Sequence, residues 1–496
     1  MSLLLTSETR GGRVRDAREA PLLAVLMPMV WSVRNVVHAG VLDELQAGGL
    51  NVCLVTPGGA QPVPAGGQRA KPVCYPMLGA QPSFSRSEEI GAAIACEAAY
   101  ERAGFSSHRI AHRWLRSKAT TRRRALDALT RAAARLATGD AIVGRLARWS
   151  AERWERAHCD LLVEDQLRAI RPDAMWATLW GLAGEEAYVV AARALGIPIM
   201  ASIVGFDNPY TKGLRPVFDR LLVWNDAMKT AVLRLYGGDA EQEIVETGTP
   251  QFDFHLRQDL IWTRQHTLGS LGLPPDARYV LYGASHPLHT PDEPRLVSAL
   301  VKRLRSAIDL ADVRFVVRVH PFDRTGRWSA LREAGVPIGL QEPFTPHCDG
   351  RGWSVSSLDD QALFVNTLRH ADACLSIAST IALDAAVLDV PSIALEFGGE
   401  SELEGRYFFE EYGTDYYRPL ATSGGLAIAH GWSEVVAILR RAREDRMAET
   451  RGRAAMVRHV CGVVDGRRKE AVAREVADFT RVAAQRRVTR GSTVGA

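Results

Sequence analysis

The chain has 496 residues, of which 47% are hydrophobic and 24% are charged, with 42 Gly and 24 Pro. This composition is typical of a globular protein and excludes a mainly disordered, collagen-like or coiled-coil chain. The length predicts about two to three domains. The net charge is only +4, from 61 Lys and Arg against 57 Asp and Glu, which excludes a protein that binds nucleic acid through overall positive charge.

The charge is unevenly distributed along the chain. Residues 102–156 contain fourteen Lys or Arg and four acids, a local balance of +10. One interpretation is contact with anionic lipid, and the alternative is a solvated helical face. The chain lacks a run of eighteen apolar residues and its first residues do not resemble a secretory signal, while its seven Cys form no C-x-x-C motif. We therefore expect a cytoplasmic protein, or one peripheral to the inner face of the cytoplasmic membrane.

The first half of the chain predicts alternating strands and helices. After an N-terminal extension, 1–20, a buried strand at 22–28 precedes a helix for which Ser32 is the expected N-cap, and residues 51–57 form the next strand. This βαβ unit implies a parallel sheet. A loop is expected at 57–90 and a basic helical insertion at about 91–160. Further strands, at 173–178, 197–202 and 220–224, complete an N-terminal domain at 21–255.

The second half repeats this organisation. A polar connector precedes a domain at 275–440, followed by a helical segment at 441–487 and a flexible tail at 488–496. Its predicted strands are 278–283, 313–319, 336–340, 372–377 and 391–396. The predicted fold class is therefore α/β, with two doubly wound Rossmann-type domains that face each other across a cleft.

Polar side chains follow the predicted strands of the second domain. They are Ser285, His286, Arg318, His320, Ser379 and Thr380, with Asp384 one helical turn beyond Thr380. Ligands of such sheets bind beyond the carboxyl ends of the strands, and hydroxyl and backbone N–H groups at a helix start suit a phosphate. A simple N-cap at Ser379 and Thr380, and a core position for His320, are the alternatives.

Three segments resemble a known family. They are RVHP (318–321), ADACLSIASTIALDAAVLDVPSIALEF (371–397) and VETGTPQFD (245–253). They are similar to bacterial glycosyltransferases of the GT-B fold, notably the capsule and teichoic-acid group that includes CDP-glycerol glycerophosphotransferases. The resemblance implies a nucleotide-donor site in the second domain, with His320, Ser379, Thr380 and Asp384 at the pyrophosphate and at the ribose or donor group.

The resemblance also implies a reaction. Aligning Asp384 with the second acid of the Glu-x7-Glu pair of retaining enzymes places Ser376 at the first position, which favours an inverting transfer without a metal ion or other cofactor. Asp207, His320 and Glu185 are the candidate general bases, and Lys212 lies near Asp207 in sequence. The expected partners are a nucleotide-activated sugar and a saccharide or lipid-linked acceptor of the cell envelope.

Other functions remain open at this stage. They are CDP-glycerol-type phosphotransfer, non-hydrolysing epimerisation of a UDP-sugar, and a catalytically silent nucleotide-binding scaffold. The chain contains no G-x-x-x-x-G-K-[ST], G-x-G-x-x-G or H-E-x-x-H motif, which disfavours a P-loop NTPase, a dinucleotide-dependent dehydrogenase and a zincin.

Overall fold

The computed structural model contains two parallel sheets surrounded by helices. It describes residues 20–59, 72–78, 85–107, 109, 121–137, 139–180, 184–212, 218–237, 243–288, 290–342, 357–397 and 410–494. The first sheet has seven strands in the order β3-β2-β1-β4-β5-β6-β7 and the second has six in the order β10-β9-β8-β11-β12-β13. The predicted α/β fold with two Rossmann-type domains is confirmed.

The strands are short and run parallel to their neighbours. Those of the first sheet are β1 (Leu22–Leu26), β2 (Asn51–Pro57), β3 (Val73–Met77), β4 (Ala174–Trp180), β5 (Ile199–Ile203), β6 (Arg220–Val223) and β7 (Ile244–Glu246). Those of the second are β8 (Tyr279–Gly283), β9 (Arg314–Arg318), β10 (Ile338–Gln341), β11 (Ala373–Ser376), β12 (Ser392–Leu395) and β13 (Leu426–Ala429). Strands β4 and β8 are buried throughout, as expected when helices cover both faces of a parallel sheet.

Helices connect successive strands. In the first half they are α1 (Val30–Ser32), α2 (Val41–Ala47), α3 (Arg86–Ala103), α4 (Thr121–Leu136), α5 (Asp140–Ala157), α6 (Leu161–Ile170), α7 (Glu186–Ala194), α8 (Asn208–Thr211) and α9 (Asp226–Tyr236). In the second they are α10 (Arg264–Ser270), α11 (Glu293–Ser306), α12 (Arg327–Glu333), α13 (Leu358–Arg369), α14 (Ile381–Val387), α15 (Arg418–Ala421), α16 (Trp432–Glu444), α17 (Thr450–Met456) and α18 (Arg468–Val494). Val33–His38 and Val457–Cys461 are π-helical, and Pro250–Leu256, Gln258–Leu260 and Ile308–Leu310 are 3₁₀-helical. Within the described part of the chain, none of the helices combines the length and the apolar character needed to span a bilayer.

The structure corrects two local predictions in the first domain. Residues 57–90 were expected to form a loop, but β3 lies within them and pairs with β2 at the edge of the sheet. Its Pro76 obscured the strand pattern, although proline is tolerated in an edge strand. Ser32 does not cap a helix, because its backbone is already helical and its hydroxyl hydrogen-bonds with that of Thr178 at 2.7 Å.

The end of the chain crosses back to the first domain. Helix α18 places Val472 and Val476 in the same core cluster as Leu23 and Val25 of β1. Its first backbone N–H groups donate to the carboxylate of Asp253, at 2.9 Å from Arg468 and 3.2 Å from Lys469. The helix extends to Val494, so it includes most of the segment that we expected to be a flexible tail.

The carboxyl ends of the two sheets face each other. One hydrophobic cluster contains Ile203 and Phe206, which lie at the end of β5, together with Leu383 and Tyr417 of the second domain. The rings of Phe206 and Tyr416 meet edge to face at 5.4 Å. The loops that carry the predicted site residues of the second domain therefore lie against the first domain.

Candidate functional site

Two histidines lie side by side at the ends of β8 and β9. The ring centroids of His286 and His320 are 5.1 Å apart. In each ring Nδ1 accepts a backbone N–H, from Leu288 at 3.1 Å and from Phe322 at 3.2 Å. A neutral imidazole that accepts at Nδ1 carries its hydrogen on Nε2. Both histidines are therefore arranged as hydrogen-bond donors, and burial lowers the pKa of His286, which favours this neutral form.

An aromatic contact joins this histidine pair to the first domain. Phe322, which is 43% exposed, lies next to both imidazole rings and meets Trp31 edge to face at a centroid distance of 5.4 Å. Trp31 belongs to the segment that follows β1. The structure thus brings the ends of β1, β8 and β9 together.

A buried carboxylate fixes the loop after β8. Glu293 accepts from the backbone N–H of Ser285 at 2.9 Å, from the hydroxyl of Tyr282 at 2.9 Å and from Arg327 at 3.0 Å. The Ser285 hydroxyl is buried and has no hydrogen-bond partner among the described residues. Sequence reasoning selected Ser285 and missed Glu293, although a Glu ten residues after the strand end, at a helix start, is a detectable signal.

Arg318 is a desolvated cation at the end of β9. Its guanidinium stacks on the ring of Phe364 at 4.2 Å, and Nη1 donates to Oε1 of Gln341 at 2.8 Å. Burial lowers the pKa of Arg318 to about 10, and the carboxylates of Asp360 and Asp384 oppose this shift. Because Gln341 is neutral, the Arg318 charge is offset only electrostatically, by the carboxylates of Asp360 and Asp384.

The turn after β11 places Ser379 and Thr380 at the start of α14. Ala378 adopts the left-handed region, with φ of 34°, and its N–H donates to the hydroxyl of Tyr412 at 3.0 Å. The Ser379 hydroxyl accepts from the N–H of Ile381 at 3.4 Å, and Thr380 is exposed. The N-cap position itself is Thr380, whose side chain makes no cap hydrogen bond, so the Ser379 contact is a local turn contact before the helix.

Asp384 is held by a residue of the segment that leaves the first domain. Nε2 of His255 lies 2.8 Å from Oδ1 of Asp384. His255 is buried between Phe252 and Phe364, and its Nδ1 has no partner among the described residues. A bare Nδ1 is compatible with the tautomer that carries hydrogen on Nε2, so His255 donates to the carboxylate. Sequence reasoning missed His255, which lies two residues after the Val245–Asp253 motif.

A second cation approaches Asp384 from the first domain. Arg34 lies in the π-helical turn after β1, where Nη2 donates to Gln251 at 2.8 Å and Nε donates to Asn35 at 2.9 Å. Burial lowers the pKa of Arg34, and the Asp384 carboxylate opposes the shift. Arg34 and Arg318 thus act on one carboxylate from opposite domains, and both hydrogen-bond to neutral amides. No sequence signal had identified Arg34.

The other two candidate bases have local partners. Asp207, which is partly exposed, accepts from the Thr211 hydroxyl at 3.0 Å and forms an ion pair with Lys212 at 3.5 Å. Glu185 is buried and accepts from the backbone N–H of Thr178 at 2.7 Å and of Leu179 at 3.1 Å. Burial raises the pKa of Glu185 to about 8. No described contact joins Asp207 to His320.

The arrangement suits an anionic ligand that also carries hydroxyl groups. Two arginines supply charge, two histidines present N–H donors, and Asp384 is a partly exposed acceptor. Among the residues that the structure describes, no group of three or more His, Cys, Asp or Glu side chains is placed to hold a metal ion.

Comparisons with known proteins identify the fold. No protein-family model matches the chain, and no curated protein matches its sequence. The S. aureus protein MnaA, in a structure with UDP, matches with a TM-score of 0.51 and 12% identity over 93% of this chain and 97% of that chain. A candidate UDP-N-acetylglucosamine 2-epimerase of Listeria monocytogenes matches with a TM-score of 0.50 and 12% identity, over 91% of this chain and 94% of its own. With its two sheets and crossing C-terminal helix, the chain has a GT-B-like α/β fold.

Proposed function

We propose that the protein is a GT-B glycosyltransferase that moves a sugar from a nucleotide-activated donor to a hydroxyl of a cell-envelope saccharide or glycolipid. The observation that carries this proposal is that Arg34 of the first domain and Arg318 of the second are both desolvated, hydrogen-bond to the neutral amides of Gln251 and Gln341, and interact electrostatically with Asp384. A cation pair beside a carboxylate matches a diphosphate next to a ribose.

The proposed donor site uses the second domain as the sequence predicted. Arg318 and Arg34 would neutralise the diphosphate, with further hydrogen bonds from His286, His320 and Thr380. Because His255 holds Oδ1 of Asp384, the other carboxylate oxygen would accept from a ribose or sugar hydroxyl. This arrangement stabilises the leaving nucleotide without a metal ion.

Asp207 is the proposed general base. An inverting transfer needs one base to take the proton of the acceptor hydroxyl while the nucleotide leaves from the opposite face of the sugar. Asp207 is partly exposed at the end of a first-domain strand. His320 was another candidate for this role, but its Nδ1 already accepts a hydrogen bond and Nε2 carries the hydrogen, so donation to phosphate suits it better.

Ligand binding gives the first test. The purified chain would be screened by thermal shift with UDP, CDP, GDP, ADP, dTDP and CMP, because a ligand that binds only the folded state raises the Tm. We expect one nucleoside diphosphate to raise the Tm and its uncharged nucleoside to have little effect at the same concentration. If none of these nucleotides raised the Tm, the assignment of the donor site would be wrong, and a catalytically silent scaffold would be favoured over a transferase.

Turnover separates the remaining functions. An epimerase is the second candidate, because the fold is shared with the candidate UDP-N-acetylglucosamine 2-epimerase of Listeria monocytogenes. An epimerase would convert UDP-GlcNAc to its 2-epimer without an acceptor, whereas a transferase would release UDP rapidly only when an acceptor is present. CMP release from CDP-glycerol with transfer of glycerol phosphate would instead identify a phosphotransferase.

A further inference from the structure

The basic helical insertion carries apolar side chains on its exposed side. Helix α4 packs against α3 through small residues, with Ala134 in one cluster with Ala98 and Ala99. Leu129 and Leu136 point away from this contact and are 68% and 86% exposed. They are seven residues apart and so lie on one face of the helix. The larger apolar side chains of this helix end are thus on its solvent side.

The next helix in the chain also exposes an apolar side chain together with arginines. Ile142, near the start of α5, is 40% exposed, and Arg145 and Arg148 are exposed on the same helix. In the sequence from 128 to 151 there are four Arg and one acid, Asp140. We call Leu129, Leu136, Ile142, Arg145 and Arg148 the hairpin tip.

We propose that the hairpin tip docks on an anionic lipid surface. Leucine and isoleucine side chains enter the boundary between headgroups and acyl chains, and adjacent arginines contact anionic headgroups. The charge argues against a second copy of the chain as the occupant, because a symmetric contact would bring the arginines of both copies together.

The hairpin tip is connected to the rest of the molecule through α3. Beyond the end of α3, the carboxylate of Asp415 in the second domain accepts from the N–H groups of Ser106 at 2.7 Å and Ser107 at 3.0 Å. A membrane-bound tip would therefore hold the whole enzyme near the bilayer. The inference itself is independent of the proposed function.

Cosedimentation of the full chain with lipid vesicles tests this inference. Vesicles of phosphatidylcholine with phosphatidylglycerol would be compared with phosphatidylcholine alone. We expect the wild-type chain to bind the anionic vesicles, with an affinity that weakens as salt is added. Partitioning onto these vesicles should fall by about tenfold or more in the double variants Leu129→Gln/Leu136→Gln and Arg145→Gln/Arg148→Gln. The control is Ile308→Gln in the second domain, where a 95% exposed isoleucine is replaced without loss of lipid binding.

Other occupants give different results, each of which overturns the inference. Equal partitioning of all variants onto anionic vesicles would exclude the hairpin tip as the lipid-binding surface. A wild-type dimer that becomes a monomer in the leucine variant, measured by light scattering, would identify a second copy as the occupant. A lower Tm in the leucine variant, without lipid binding in wild type, would show that another part of the chain covers the leucines. Nucleotide thermal shifts are independent of all three outcomes, so a failure here leaves the proposed function intact.

Discussion

His255 donates from Nε2 to Oδ1 of Asp384 at 2.8 Å and so joins the segment leaving the first domain to helix α14 of the second. The bond leaves one carboxylate oxygen for a ligand and fixes its direction. Arg34 and Arg318 act electrostatically on the same group. The carboxylate is thus positioned by both domains.

Changes at this pair should affect nucleotide affinity. Asp384→Ala removes the hydroxyl acceptor, and we expect about a tenfold weaker Kd, equivalent to about 1.4 kcal/mol. His255→Phe keeps the ring among Phe252 and Phe364 but loses the donor, so a smaller loss is expected. Isothermal titration with the nucleotide found by thermal shift measures both. If Asp384 binds the ribose, the Asp384→Ala effect should disappear with deoxyribose analogues, and an unchanged effect would contradict that role.

The two arginines should distinguish charged from neutral ligands. Arg34→Gln and Arg318→Gln should each weaken the binding of a nucleoside diphosphate by about tenfold to a hundredfold. Each substitution removes a charge-assisted hydrogen bond of about 1.5–3 kcal/mol. Arg295→Gln, at an exposed ion pair, is the control. Competition titration with the diphosphate and its nucleoside checks the prediction. An equal loss for both ligands would indicate a disturbed fold instead of a lost charge.

Asp207→Asn separates catalysis from binding. The variant keeps a hydrogen-bond acceptor for Thr211 but cannot take a proton. We expect kcat to fall by about 10²- to 10⁴-fold with little change in donor affinity. Initial rates at saturating donor, combined with titration of the nucleotide, measure the two effects. A wild-type kcat in this variant would show that another residue acts as the general base.

Glu185 should make the protein less stable as pH rises. Burial raises its pKa to about 8 in the folded state, above the ordinary 4.5 of an unfolded glutamate. The contribution of Glu185 to the free energy of unfolding is fully present below about pH 4.5 and is lost as pH rises through 8, by up to about 5 kcal/mol. Glu185→Gln retains an acceptor for the Thr178 and Leu179 amides without the charge. Chemical denaturation at pH 5 to 8.5 measures the free energy of unfolding. As pH rises, this free energy should increase in the variant relative to wild type. The same pH dependence in both proteins would contradict the prediction.

Asp253 should hold the final helix on the first domain. Asp253→Ala leaves the N–H groups of Arg468 and Lys469 without their acceptor, at a cost of about 1–3 kcal/mol. Asp253→Asn retains an oxygen acceptor and should recover most of this loss. Hydrogen exchange of residues 468–494 should increase in the alanine variant, and unchanged protection would place the helix contact elsewhere.

The sequence predicted most strands and the loops that carry the second-domain site. Apolar runs that end at Pro or Gly located β1, β8 and β9, because buried parallel strands need side chains that are apolar on both faces. It missed β3, β7 and β13, which are three to five residues long. All three lie at sheet edges and are only partly buried, so they lack the continuous buried apolar run of the inner strands, and β3 also contains a proline.

The sequence by itself determined the two-sheet α/β architecture and the chemistry after each strand, since local periodicity and turn residues encode both. Only the tertiary structure decided which residues meet. His255 and Asp384 are 129 residues apart, and Arg34 hydrogen-bonds to Gln251 across 217 residues. Such contacts arise when the carboxyl ends of two sheets are packed together, and no local pattern records which side chains the packing will desolvate and pair.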